Sequence, residues 1–344
     1  MSPIQIIDKY NLVITFLVTL GWQMLGFAIA WTFKFDKVTD FTGGSNFFIL
    51  AMITFFANHT YYTRNAVVSA LFMAWAARLA LFLLFRVLKT GSDTRFDDIR
   101  SHFFKFAGFW AGQILWVFTV SLPVVILNSP AVTDPSKGGG YASWGQATDI
   151  VGVILFGIGF LWEAIGDVQK YRYKASNPPK GKPCTKGLWY FSRHPPYFGE
   201  IVLHWGIWLM CISPAIAGGL TRASRDALYG SVVAPIFTML LLLFLSGMPT
   251  AEKPTAKKYF LQSHDPDETA TFSGSQPKND TWDKYKDYLN KTSILIPIPP
   301  AVYRPLPDWL KHTLLMDWRI YRFDEAKDGQ AALDEARKKR DHEV

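Results

Sequence analysis

Trp162–Glu200 reads WEAIGDVQKYRYKASNPPKGKPCTKGLWYFSRHPPYFGE. Its first residues continue an apolar run, its last residues open another, and a basic loop carrying Pro and Gly lies between them. Two carboxylates, Glu163 and Asp167, stand inside the first run. An Arg-His-Pro cluster, Arg193-His194-Pro195, begins the second. A charged loop framed by two membrane-like helices points to a site for an anionic ligand.

The rest of the 344 residues supports the membrane reading. Hydrophobic residues make up 49% of the chain and are bunched into windows of about 20, the length that crosses a bilayer core. The net charge of +8 would suit a nucleic-acid partner, but the Lys and Arg lie in loops between apolar windows. That distribution fits topology signals facing anionic lipid and disfavours nucleic acid. Hydropathy predicts seven spans, near Leu12–Phe33, Phe47–His59, Ala66–Leu88, Phe106–Leu127, Ile150–Gly166, Tyr197–Ala217 and Ser231–Gly247. The second is short enough to read as re-entrant or interfacial. The fold class expected is an all-α polytopic membrane bundle.

Loop charge tests that count. Lys34 and Lys37 follow the first span; Lys89, Arg95, Arg100 and Lys105 the third; Lys170, Arg172, Lys174, Lys180, Lys182 and Lys186 the fifth. Alternate loops carry fewer cations: Arg64, Lys137, and Arg222 with Arg225. Seven spans put every basic loop and the basic tail on one side, which the positive-inside rule makes cytosolic. No cleaved signal peptide is expected, and Cys184 and Cys211 read as packing or loop residues. Four segments follow along the chain: an N-terminal membrane region 1–60, a membrane core 61–250, a cytosolic segment 251–302 with a polar insertion, and a charged tail 303–344. Within them, Glu252–Asp283 reads as a solvated excursion and Asp324–Val344 as a charged surface helix.

Glu163 and Asp167, four residues apart, project from one helical face. Ionisable groups in a span face a cavity or a partner, so the pair either serves a ligand or bridges to Lys170 or Arg172. Aspartate suits ribose hydroxyls or an amide. Arg78, mid-span, calls for a carboxylate such as Glu163 or for a ligand, with Arg86 two turns on. Arg95, in Gly91-Ser92-Asp93-Thr94-Arg95, serves a phosphate or a loop salt bridge. In Ser192-Arg193-His194-Pro195-Pro196-Tyr197-Phe198-Gly199-Glu200 the prolines bend the chain into a helix whose free N–H groups attract phosphate. Arg193 adds a phosphate clamp, and His194 a donor or proton carrier. Tyr197 and Glu200 project together from the first turn.

The segment GLWYFSRHPPYFGE resembles the signature of the steroid 5-alpha-reductase-like membrane proteins, with Pro196 where asparagine is usual. Glu163, Asp167, Gln169-Lys170 and Asn177-Pro178 resemble the pattern upstream of it. Gly247-Met248-Pro249…Glu252 and Tyr285…Tyr288…Thr292…Ile296-Pro297 resemble the pattern downstream, and Arg78-Leu79 with the Gly91–Arg95 run the third-span motif. The resemblance implies an NADPH-dependent reductase of a carbon–carbon double bond in a lipid or sterol-like substrate, placed in the endoplasmic reticulum membrane. It implies Arg193, Arg95, Lys170 and nearby lysines on the phosphates, and Glu163, Asp167 and Asn177 on the ribose or amide. Tyr197, Glu200 and His194 fall at the nicotinamide, while Tyr285 and Tyr288 close the cofactor site. His59, Tyr61 and Tyr62 are candidates to polarise a substrate carbonyl, with nothing in the sequence selecting one. The core Arg193-His194-Pro195-x-Tyr197-x-Gly199 is equally similar to isoprenylcysteine and phospholipid methyltransferases, which bind S-adenosylmethionine. Glu200 and the Glu163…Asp167-x-Gln169 helix favour the reductase. A non-catalytic lipid-binding relative is the third reading.

Overall fold

The computed structural model describes residues 8–34, 38–57, 61–90, 101–140, 142–179, 181–265 and 280–343. Among these there is no strand, and a lone bridge joins Ser192 to Ser293. The long helices are α1 (Leu12–Phe33), α2 (Val38–Ala57), α3 (Thr63–Thr90), α4 (Phe103–Leu127), α5 (Ala147–Ala175) and α6 (Pro195–Ala217). A segmented seventh comprises α7 (Arg222–Gly230), α8 (Val233–Leu240), a π-turn at Leu241–Leu245, and α9 (Met248–His264). Then follow α10 (Thr281–Lys291) and α11 (Glu325–Glu343). Among the described residues, seven helices or helix runs are long and apolar enough to cross a membrane, the number hydropathy predicts. The architecture is that of a polytopic helical membrane protein.

Compactness divides the chain into two units that interleave in sequence: residues 1–160 with 201–239, and residues 161–200 with 240–344. In the first unit, the α1 N-terminus is closed by Asp8, whose carboxylate accepts from the N–H groups of Tyr10, Leu12 and Val13. Amide side chains then hold spans together where apolar attraction between helices is weak. Gln23 donates to Asn46 at 3.0 Å, and Gln113 to the Thr39 carbonyl at 2.9 Å. Asn65 donates to Asn128 at 3.0 Å, which donates in turn to Ser69 at 2.9 Å. Phe47, Phe72, Trp75 and Trp116 interlock beside them.

These bonds explain why α2 is longer than hydropathy predicts. Its first half carries Thr39, Asp40, Thr42, Ser45 and Asn46, which lower the apolar average. Thr39, Thr42 and Asn46 are nonetheless buried. Polar surface turned inward reads as loop in a hydropathy window. Where α5 meets α6, Gly152 and Gly206 face each other. A Cβ on either would stand 2.6–2.7 Å from the other's carbonyl oxygen, so the crossing needs both glycines.

Arg64 corrects another expectation. It is no loop cation: it is buried and forks onto Asp149 through Nε and Nη2, both at 2.8 Å. It also donates to the carbonyls of Ala142 and Ser143 and to the Ser213 hydroxyl. One guanidinium thereby ties α3, α5 and α6 together.

In the second unit, the excursion expected over Glu252–Asp283 is helical as far as His264, and residues 266–279 lie outside the described residues. The helix expected at the end is α11, but it is docked rather than simply solvated. Lys257 meets Glu335 at 2.6 Å, Arg340 meets Asp265 at 2.6 Å, and the Trp282 indole donates to Glu325 at 2.9 Å. Phe260, Trp282, Tyr285 and Tyr288 form the aromatic core beneath. The π-turn frees the Leu243 carbonyl, and the buried Tyr321 hydroxyl donates to it at 2.7 Å.

Candidate functional site

The second unit contains most of the sequence-predicted residues, and its buried polar cluster is built on one guanidinium. Proline at the first position of α6 fixes the chain direction, and the residues just before it enter the interior. The Arg193 N–H donates to the Ser293 carbonyl at 2.8 Å, and the Ser192 hydroxyl donates to the Leu295 carbonyl at 2.8 Å. Ile298 N–H donates back to Phe191 at 3.1 Å. This short pairing of 191–193 with 293–298 carries the Arg-His dipeptide inward.

There Arg193 Nη1 donates to Glu252 Oε2 at 2.8 Å, and Nη2 stands 2.8 Å from Asp317 Oδ1, off the hydrogen-bonding direction. Tyr303 donates its hydroxyl to Asp317 Oδ2 at 2.8 Å, and Arg322 Nη2 lies 3.5 Å from the same oxygen. Burial opposes the charge on Arg193, yet Glu252 and Asp317 outweigh it and hold the proton more firmly than usual. Two carboxylates and two guanidiniums balance. A phosphate sought by Arg193 therefore meets a cation already neutralised, with buried Nε and Nη2 both lacking a hydrogen-bond acceptor among the described residues.

His194 Nε2 lies 2.6 Å from Glu252 Oε1. A carboxylate held by Arg193 only accepts, so Nε2 carries the proton and Nδ1 is left for exchange. The imidazole stacks on the Tyr197 ring, with centroids 4.9 Å apart and planes 2° from parallel. Glu200, a turn further along α6, is half-buried. Tyr285 and Tyr288 are buried within electrostatic reach of Arg193 and Glu252, and burial pushes both phenols well above their ordinary value. Tyr285 stacks on Tyr259 at 4.2 Å.

The loop after α5 is folded against the helix that precedes it. Gln169 Oε1 accepts from Leu188 N–H at 2.9 Å, and the Trp189 indole donates to the Gly166 carbonyl at 2.8 Å. Lys170 Nζ lies over the Trp189 ring at 4.1 Å. Gln169 is thus a loop fastener. Asn177 is exposed, with φ of 46°, just past the end of α5, where asparagine is a common left-handed cap. Glu163 is buried on α5 and Asp167 half-buried one turn later. Lys182 and Lys186 on this loop are exposed.

Some expected residues fall elsewhere. Arg95 and the Gly91–Arg95 run, like His59, lie outside the described residues. Arg78 belongs to the first unit, its guanidinium 5.4 Å from the Phe82 ring, while Glu163 belongs to the second. Arg86 meets Asp40 at 3.5 Å. Tyr61 is exposed, and Tyr62 reaches the Thr133 carbonyl at 3.4 Å. No local motif in the sequence singles out Asp317 or Tyr303. Their one signal is indirect: a buried arginine needs carboxylates.

Seven spans and a buried Arg-His-carboxylate group after the fifth define a multi-pass helical membrane protein with a polar interior cluster. A family model described as Protein of unknown function (DUF1295) matches residues 26–264, and the chain belongs to that family, which is associated with steroid 5-alpha-reductase-like proteins. Arg193, His194 and Glu252 fall within the matched residues; Asp317 and Tyr303 fall outside them. No match was found among curated proteins or among solved structures.

Proposed function

We propose that the protein is a membrane-embedded, NADPH-dependent reductase of a carbon–carbon double bond in a lipid or sterol-like substrate. The observation that carries this reading is His194, fixed by Glu252 at 2.6 Å and laid flat on Tyr197. A locked imidazole with one exchangeable nitrogen, on an aromatic floor, suits proton delivery beside a planar ring. NADPH, when bound, supplies a hydride to one alkene carbon. His194, oriented by Glu252 and Tyr197, would take a second proton from solvent at Nδ1 and, as an imidazolium whose charge Glu252 balances, pass that proton to the other carbon to complete the reduction. Lys170, Lys182 and Lys186 hold the phosphates, and Asp167 accepts from ribose hydroxyls. Arg193 keeps Glu252 ionised and contributes Nε as a donor. Tyr285 and Tyr288 exclude water. Lysine-rich loops and α11 lie on the cytosolic face of an endoplasmic reticulum membrane, and the substrate enters from lipid.

The second reading is an S-adenosylmethionine-dependent methyltransferase, which the core Arg193-His194-Pro195-x-Tyr197-x-Gly199 also fits, while Glu252 after the last apolar run lacks the acidic neighbour that those enzymes tend to carry there. The purified full chain in detergent separates the two. Native-state ligands raise apparent stability by RT ln(1 + [L]/Kd). We expect NADPH to raise the melting temperature, S-adenosylmethionine to leave it unchanged, and His194→Gln to keep the shift while losing turnover of unsaturated lipids. A shift with S-adenosylmethionine alone makes the protein a methyltransferase, and silence from both makes it a binding protein.

A further inference from the structure

Residues 300–322 stand apart from the reading above. They follow α10 as short turns of helix at Pro300–Tyr303, Asp308–His312 and Arg319–Tyr321, and they bury few of their large apolar side chains. Val302, Trp309, Leu314 and Ile320 are 55%, 65%, 67% and 56% exposed. In water such a group would be a costly apolar surface. The segment is not loosely tethered, however. Tyr321 donates to the Leu243 carbonyl at 2.7 Å, and Trp318 stacks on Phe244 at 4.9 Å with planes 14° apart.

Those anchors fix its depth. The apolar run of the last span ends at Leu245, itself 68% exposed, and the next ionisable residues are Glu252 and Lys253. The segment is therefore held where hydrocarbon gives way to headgroups. Its exposed charge is net positive: Arg304 and Arg319 are exposed and Arg322 partly so, against one exposed carboxylate, Asp308, while Asp317 is buried and Arg304 also lies 3.6 Å from Asp287. Tryptophan and aliphatic side chains beside arginine are the composition of an interfacial element.

We propose that residues 300–322 are an interfacial membrane anchor. Val302, Trp309, Leu314 and Ile320 insert at the headgroup–acyl boundary, and Arg304 and Arg319 meet anionic headgroups. The anchor pins the strand of chain that carries Tyr303 and Asp317.

The test uses the full chain in lipid nanodiscs, spin-labelled at Trp309→Cys or Leu314→Cys, with Ile320→Cys as a further reporter and Glu335→Cys as the solvent control. The native Cys184 and Cys211 are buried, and the unsubstituted chain gives their background. Relaxation by oxygen, which partitions into lipid, is compared with relaxation by a water-soluble nickel chelate. We expect oxygen to exceed nickel several-fold at 309, 314 and 320, and the reverse at 335. Phosphatidylglycerol added to phosphatidylcholine should raise the oxygen preference in the parent and not in the Arg304→Gln, Arg319→Gln double variant. Nickel access at 309 and 314 equal to that at 335 overturns the proposal. So does protection from both reagents, which would mean that a second copy or another protein covers the face. Indifference to phosphatidylglycerol overturns the headgroup contacts.

Discussion

Arg193 is the residue on which the second unit depends. Its guanidinium spans two carboxylates from distant parts of the chain, Glu252 and Asp317, and each is itself buried. Removing one partner of a buried ion pair costs about 3–5 kcal/mol, because the other charge is left uncompensated. Arg193→Ala should therefore lower the melting temperature sharply even without ligand. Arg193→Lys should recover little, since a single ammonium cannot reproduce a planar fork aimed at two acceptors. Thermal unfolding of the purified variants in detergent measures both. If Arg193→Ala melts like the parent and merely fails to respond to NADPH, the arginine is a ligand contact and not a keystone. Arg193 and His194 are legible in the sequence because prolines and aromatic residues frame them. The carboxylates that hold Arg193 are 59 and 124 residues away, too distant for local sequence to pair with it.

At the scale of elements, the last span turns at Leu241–Leu245, where one extra residue per turn leaves the Leu243 carbonyl without its helical partner. Tyr321 fills that gap. Tyr321→Phe removes the donor and strands a buried acceptor, a loss of about 1–3 kcal/mol. Amide hydrogen exchange should quicken across 241–246 and 318–322 together in that variant. Faster exchange in only one of the two stretches would mean that the phenol does not couple them. Hydropathy located this span but not its turn, since Leu-Leu-Leu-Phe-Leu reads as uniform helix. It likewise shortened α2, where buried threonines and Asn46 do the packing.

For the whole molecule, count and class of helices were legible because bilayer thickness imposes a length on apolar runs. What was not legible is how the chain divides. Both compact units draw on segments from either side of the other, and no composition shift marks that interleaving. Loop charge predicts a cytosolic C-terminal side, an expectation with a test of its own. In sealed vesicles with the cytosolic face outward, Glu335→Cys should react with an impermeant maleimide, and Arg222→Cys only after lysis. Both positions are exposed, so the reverse pattern would overturn the assignment.

The grip of Asp317 on Arg193 also sets an order of biosynthesis. Chains fold largely from the N-terminus as they are made. Arg193 is synthesised at the mouth of the sixth span, yet its second carboxylate emerges only after all seven spans have been made. Until then the guanidinium lacks one of its two counter-charges. Membrane insertion and closure of the polar cluster are thus separate events, and a chain stopped before Asp317 would be inserted but unfinished, with a buried cation to betray it to quality control.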